Sequence, residues 1–129
     1  MHDSSFLRRS LKIDGVASGL CGVLLLAGAG PLSSLMGLAG SGIARMVGAL
    51  FVLYAAALLW NGARATVSRG CALTAVVLNA AWVAGSAVVI LDGPLTALGN
   101  LAVAAVAVAV LLFAILEAVG LARLRQAVR

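Results

Sequence analysis

The chain has 129 residues, of which 64% are hydrophobic and only 10% are charged, with a formal net charge of +5. A soluble domain carries roughly 25% charged residues, so this composition excludes an ordinary soluble protein and predicts one that spans a lipid bilayer. The positive charge predicts no nucleic-acid partner, because the basic residues stand beside apolar runs, as residues at the ends of membrane helices do.

Four apolar runs follow one another along the chain, at about 13–30, 43–62, 71–91 and 98–121. Each is close to the roughly 20 residues that cross the hydrocarbon core of a bilayer. The runs are continuous and show no alternation of apolar and polar residues, which favours helices over strands. We therefore predict an all-α fold, an integral membrane four-helix bundle that forms a single transmembrane domain over residues 1–129.

Both prolines lie between predicted helices, in two similar segments. GPLSSLMG begins at Gly30 and GPLTALG begins at Gly93, and each follows an odd-numbered helix. The match is typical of a helical hairpin duplicated in tandem. Proline in the first turn of a helix is also routine, and this explains the same residues without a duplication. Both interpretations stay open at this stage.

Basic residues are concentrated on one side of the predicted topology. Eight of the nine flank the start of helix one, the connection between helices two and three, or the end of helix four: Arg8, Arg9, Lys12, Arg64, Arg69, Arg123, Arg125 and Arg129. Since basic residues stay cytoplasmic, we expect a multi-pass protein of the cell inner (plasma) membrane with both termini in the cytoplasm. Arg45 alone belongs to the outer face, where Asp92 is predicted at similar depth, and the two form a candidate outer ion pair.

Each predicted helix carries polar side chains, which are costly in hydrocarbon. Spacings of four and seven residues place the polar side chains of one helix on a single stripe. We predict that these stripes face the interior and form a polar pocket open to the cytoplasmic side, made of Asp14, Tyr54, Asn61, Asn79 and Glu117. Two carboxylates in such a pocket would relay protons or receive a cationic substrate.

A structural interpretation explains the same carboxylates. In it, polar contacts hold the helices together, and Asp14 and Glu117 are neutralised by Lys12, Arg9 or Arg64. Asp14 follows Lys12 by two residues, so we expect it near the cytoplasmic boundary, where charge costs little.

Small residues predict where the helices approach closely. They recur three or four residues apart within all four helices: Gly15, Gly19 and Gly22; Ala44 and Gly48; Ala81 and Gly85; Ala114 and Ala118.

The sequence contains no pattern typical of an enzyme. The one histidine is His2, and the two cysteines, Cys21 and Cys71, fall at different depths, so neither a metal site nor a disulfide is expected. No phosphate-binding loop or catalytic constellation is present. We predict a protein that is not an enzyme and carries no cofactor.

In its length, its topology, the basic start Leu7-Arg8-Arg9 and the Gly-Pro-Leu turn, the chain resembles small four-helix bacterial inner-membrane proteins of the DoxX-like kind. Small multidrug transporters also have four helices and an acidic residue in helix one. Theirs is a glutamate well inside the helix, whereas Asp14 stands near the start of the predicted helix. Neither resemblance implies site residues for this chain.

Two functions remain as expectations. The first is a non-enzymatic scaffold or accessory subunit, which fits the absence of catalytic residues. The alternative is a small dimeric transporter of a small molecule or cation, with the polar stripes lining its path. The expected partners are the lipid bilayer and either other membrane proteins or a second copy of the chain.

Overall fold

The computed structural model describes residues 2–128 and contains no strand in that range. It has five α-helices: α1 (His2–Ala27), α2 (Ala29–Met36), α3 (Gly42–Ala63), α4 (Arg69–Asp92) and α5 (Ala97–Val128). Four of them contain spans long and apolar enough to cross a membrane, namely Ser5–Ala27, Gly42–Ala63, Arg69–Asp92 and Ala97–Gln126. The protein is therefore a multi-pass membrane protein by the length and composition of its helices, with one short helix more than the four expected.

The additional helix, α2, arises where the first predicted run was expected to continue to residue 30. The regular hydrogen bonds of α1 end near Gly28, and Pro31 has no N–H to donate to the carbonyl of Ala27. Proline is tolerated in the first turn of a new helix, where donors are unpaired in any case. α1 therefore ends before Gly28 and α2 starts after it. α2 ends at Gly37, which has the left-handed conformation (φ 84°) that favours glycine.

α1 also begins much earlier than predicted. Hydropathy placed its start at residue 13, but the helix already includes the basic residues from Arg8 onward. Leu7 and Leu11 are fully buried on one face of this first part of α1, while Arg9 and Lys12 are exposed. The segment is amphipathic rather than uniformly apolar, and this is why a hydropathy criterion missed it.

The four long helices run up and down. α1 packs closely against α3 and also against α5, while α4 packs against α5; α3 and α4 approach each other less closely. The closest approach of α1 to α3 is at Gly22 and Gly48. A Cβ atom at either glycine would lie within 3 Å of the carbonyl oxygen of the other. The predicted glycine stripe of α1 therefore marks a real helix contact, whereas Gly85 of α4 has no atom within 4 Å of its Cβ position.

One end of the bundle carries the first residues of α1, the α3–α4 connection and the last turns of α5, and we call it the basic end. Here Arg8 donates to the carbonyl oxygen of Gly62 at 2.6 Å, and the guanidinium of Arg123 lies 4.5 Å from the ring centre of Phe6. The two ends of the described chain therefore lie on the same side of the bundle. Arg129, one of the basic residues predicted there, lies outside the described residues.

The opposite end carries α2 and the α4–α5 turn, and we call it the α2 end. The two Gly-Pro-Leu segments meet here but have different conformations, because the first is helical and the second forms an extended turn. Thr96 joins them: its N–H donates to the carbonyl of Met36 at 3.0 Å and its hydroxyl to the carbonyl of Leu35 at 2.7 Å. The same hydroxyl accepts from the N–H of Gly99 at 3.0 Å and so caps α5.

The hydrophobic core lies on the side of the basic end. We call it the inner apolar cluster, and it consists of Leu7, Leu11, Leu58, Val67, Ala72, Ala75 and Leu121. Every long helix contributes to it, and Tyr54 packs against it on the side away from the basic end. The bundle is therefore closed at the basic end by apolar side chains.

Candidate functional site

One polar side chain from each long helix enters the centre of the bundle. Asp14 of α1 and Glu117 of α5 are 0% exposed, Asn79 of α4 is 4% exposed, and Tyr54 of α3 is half-buried. All four were predicted to face the interior, and the structure places them there. With Ser18 they form one hydrogen-bonded group, which we call the carboxylate network.

Asn79 connects the two carboxylates. Its Nδ2 donates to Oδ2 of Asp14 at 3.0 Å and to Oε2 of Glu117 at 3.2 Å. An amide nitrogen has two hydrogens, so these two bonds use its full donor capacity. The carboxylates of helices that are not consecutive in the chain are thus linked through a third helix.

Tyr54 and Ser18 complete the network around Asp14. The hydroxyl of Ser18 donates to Oδ1 of Asp14 at 2.9 Å from one turn along α1. The hydroxyl of Tyr54 lies 2.9 Å from Oδ1 of Asn79 and 3.2 Å from Oδ2 of Asp14. Both atoms are acceptors when Asp14 is ionised, and a phenol has a single hydrogen to give.

Counting hydrogens shows that the network needs one more than the neutral side chains supply. Five contacts of 2.9–3.2 Å require a hydrogen each. Ser18, Tyr54 and Asn79 together provide four. The Tyr54 hydroxyl therefore faces two acceptors with a single hydrogen to give. The network is therefore richer in acceptors than in donors.

No basic side chain neutralises either carboxylate in the described part of the chain. Arg8, one turn and a half before Asp14, instead donates to the carbonyls of Gly62, Arg64 and Ala65 and holds the end of α3. The stem of Lys12 packs at the Gly62 Cβ position. The boundary ion pairs of the structural interpretation are therefore not formed, because these cations lie at the basic end while the carboxylates lie deeper.

Asp14 lies further from the start of its helix than the predicted bounds placed it. Asp14 lies nine residues inside the span Ser5–Ala27, about 14 Å along the helix from its start. It shares a level with Tyr54 and Asn79, both of which it contacts. Its position relative to the membrane boundary stays a prediction.

Asn61 does not belong to the carboxylate network, although it was predicted to line the same pocket. It is buried two turns away on α3, where Nδ2 donates to the carbonyl of Ser68 at 3.3 Å and Oδ1 accepts from the N–H of Ser68 at 2.8 Å. Its side-chain amide therefore makes a pair of hydrogen bonds with the backbone of the α3–α4 connection. Asn61 is therefore a structural residue of the loop at the basic end.

The predicted outer ion pair is not formed in the described structure. Arg45 begins the second turn of α3 and Asp92 ends α4, both exposed, and the described structure contains no ion pair between them. The residue that joins the α2 end is Thr96, which sequence reasoning missed because its partners are backbone carbonyls of a helix that hydropathy did not predict.

One acceptor of the carboxylate network has no partner. Within the residues that the structure describes, no three His, Cys, Asp or Glu side chains form a metal-binding group, and Cys21 and Cys71 are free thiols. Oε1 of Glu117 is buried without a hydrogen-bond partner. An acceptor in this state is available to a proton or a water molecule.

Comparisons of the chain with family models, with curated proteins and with solved structures find no match.

Proposed function

We propose that this protein is a small membrane transporter whose bundle takes up and releases a proton at the Asp14–Glu117 pair. One observation supports the proposal above the others: two carboxylates are fully buried in the centre of a membrane-type bundle, and neither has a basic partner among the described residues. An ionisable residue in a transmembrane helix is costly, and such residues commonly mark ion pathways and proton relays. Helix contacts alone would be served by serine, threonine or asparagine.

The arrangement of charge supports a coupled pair rather than two independent acids. Two negative charges joined through one amide group in a medium of low dielectric repel each other strongly. Sharing one proton removes that repulsion and leaves one negative charge for the pair. Binding a further proton or another monovalent cation would neutralise that remaining charge. This change of charge couples the site to transport.

We further propose that the basic end faces the cytoplasm of a bacterial inner membrane, with both termini inside. The basic residues of α1, of the α3–α4 connection and of α5 lie together at that end, and Arg45 lies alone at the other. We expect a fusion of a cytoplasm-active reporter after Gln126 to be active, and a fusion within the α4–α5 turn to be inactive. A periplasmic signal after Gln126 would contradict this orientation.

The substitution Glu117→Gln is the direct test of function. It removes the titratable group but keeps an oxygen that accepts from Asn79, so we expect the bundle to fold. In proteoliposomes with a potassium diffusion potential and an internal pH dye, we expect the wild type to carry protons and Glu117→Gln to lose at least tenfold of that flux. Asp92→Asn is the matched control, since Asp92 is an exposed carboxylate at the end of α4, and it should retain full flux.

A scaffold or accessory subunit is the second candidate, and a specific observation favours it. The carboxylate network joins all four long helices by direct contacts of 2.9–3.2 Å, as a structural clamp does. In that case wild-type liposomes show no proton flux above protein-free liposomes, and Glu117→Gln changes only thermal stability. This outcome would overturn the transport proposal.

A further inference from the structure

The unpartnered polar atoms of the bundle are distributed unevenly along its axis. Four buried side-chain atoms among the described residues have no hydrogen-bond partner: Oγ of Ser33, Nε1 of Trp82, Oδ1 of Asn100 and Oε1 of Glu117. Glu117 belongs to the carboxylate network. The other three lie on the side of the α2 end, and none lies on the side of the basic end.

The positions of these residues along the helices show that the polar groups extend from the carboxylate network toward the α2 end. Trp82 follows Asn79 by three residues and the buried Ser86 follows it by seven, about 4.5 Å and 10.5 Å further along α4 toward the α2 end. Asn100 stands in the first turn of α5, and Ser33 is 2% exposed in α2. Polar groups therefore continue from the carboxylate network to the α2 end.

The opposite half of the bundle has the reverse character. Between the network and the basic end lies the inner apolar cluster, in which Leu7, Leu11 and Ala72 are 0% exposed. The backbone of α1 at Leu7 also lies within 3 Å of the Cβ position of Gly120, so α1 and α5 leave no space between them there. Apolar side chains and this close backbone contact therefore separate the carboxylate network from the basic end along α1.

We infer that water enters the bundle from the α2 end and reaches Glu117, so that the carboxylate pair exchanges protons with that side while the inner apolar cluster seals the basic end. The inference rests on the proposed proton-binding function and names the side from which the proton arrives. Buried polar groups without partners are costly, and buried water typically satisfies such groups by making about two to four hydrogen bonds. On this side α3 and α4 meet through the edge-to-face contact of Phe51 and Trp82, whose ring centres lie 4.8 Å apart, beside the unpartnered Nε1 of Trp82.

The proton step balances within these groups. The carboxyl O–H bond of the pair breaks, its electrons remain on the carboxylate, and the proton passes to the oxygen of the nearest water. Uptake is the reverse. The titratable groups that face Glu117 are Asp14 from α1 and Tyr54 from α3, and α4 contributes the neutral Asn79.

Two positions on α4 give a matched test. Ser86 and Ala72 are both buried and stand seven residues from Asn79 in opposite directions. Ser86→Cys and Ala72→Cys are made in a chain in which Cys21 and Cys71 are replaced by serine, and each protein is reconstituted in oriented proteoliposomes. A methanethiosulfonate reagent with a trimethylammonium group is then added on one side or the other.

We expect Ser86→Cys to be modified from the α2 side at least tenfold faster than from the basic side, and Ala72→Cys to be modified from neither. Modification of Ala72→Cys from the basic side at the rate of Ser86→Cys, or protection of Ser86→Cys from both sides, would overturn the inference. The result does not depend on proton flux: a flux lost in Glu117→Gln with no difference between the cysteines leaves the proposed function standing and removes the route.

A second measurement needs no new cysteine. In Trp60→Phe the remaining indole is Trp82, and water near its N–H should shift its emission to longer wavelength and let acrylamide added on the α2 side quench it. Emission at short wavelength that acrylamide does not quench from that side would contradict a hydrated route, even if Ser86→Cys failed to fold.

Discussion

Replacing Gly22 by leucine is expected to lower the free energy of unfolding of the bundle by about 3 kcal/mol, the upper part of the range for overpacking a well-packed interior. A Cβ atom at Gly22 would lie 2.7 Å from the carbonyl oxygen of Gly48, 2.9 Å from a methyl group of Val52 and 3.0 Å from Cβ of Phe51. The first of these is backbone and cannot rotate away. α1 and α3 must therefore separate, and the dispersion contacts along their whole interface weaken.

Gly85→Leu provides the matched control for this prediction. Gly85 also lies inside a membrane-type helix, but its Cβ position has no atom within 4 Å. Leucine has a higher helix propensity than glycine, so the control should be neutral or slightly stabilising. Unfolding in mixed micelles with increasing dodecyl sulfate measures both variants, and equal stability of Gly22→Leu and Gly85→Leu would contradict the close approach of α1 and α3.

Replacing Asn79 by leucine is expected to cost about 2–4 kcal/mol, because hydrogen bonds to charged groups contribute about 1.5–3 kcal/mol each and unsatisfied partners remain buried. The substitution removes both hydrogen bonds that join Asp14 to Glu117 and the acceptor that faces Tyr54. Both carboxylates then face each other without the amide between them. We expect the remaining stability to rise as the pH falls, since a further proton removes the buried negative charge that has lost its amide donors.

Thr74→Val is the control for Asn79→Leu on the same helix. Thr74 is exposed, and its hydroxyl donates only within α4, to the carbonyl of Gly70 at 2.8 Å. Loss of that bond should change stability by no more than about 0.5 kcal/mol, as for a surface position. If Asn79→Leu were as stable as Thr74→Val at neutral pH, the carboxylate network would contribute little to the fold.

Asp14 shows how far sequence reasoning carries at the candidate site. The spacing of polar residues on each helix was sufficient to predict that Asp14, Tyr54, Asn79 and Glu117 face the interior. An unpaired polar group facing hydrocarbon would be too costly. Their partners were beyond reach, since the contact of Asp14 with Asn79 joins residues 65 apart in the chain. The distance of Asp14 from the end of α1 was misjudged because the first eleven residues of that helix are amphipathic and do not register as apolar.

The prediction for Asn61 failed for a related reason. It stands seven residues from Tyr54, so helical periodicity places both on one stripe. Periodicity does not say where a stripe leaves the interior. Asn61 lies at the end of α3, where the backbone N–H and carbonyl of Ser68 offer it two hydrogen bonds. The contacts of Arg8 could not be predicted for the same reason. The carbonyls that it binds lie at the end of α3 and in the following connection, whose path only the tertiary structure shows.

Composition and hydropathy by themselves predicted a protein that lies in lipid, its helical class and its four long helices. The reason is that crossing a bilayer forces every backbone group into internal hydrogen bonds and requires about 20 apolar residues per crossing. The tertiary structure alone decided the rest. It ended α1 before Gly28 and began a separate α2, and it paired α1 with α3 through Gly22 and Gly48. It also joined two carboxylates that have no basic partner among the described residues. In a chain where lipid-facing and buried surfaces are both apolar, only steric fit and hydrogen bonding choose which faces meet, and both are properties of pairs of residues distant in sequence.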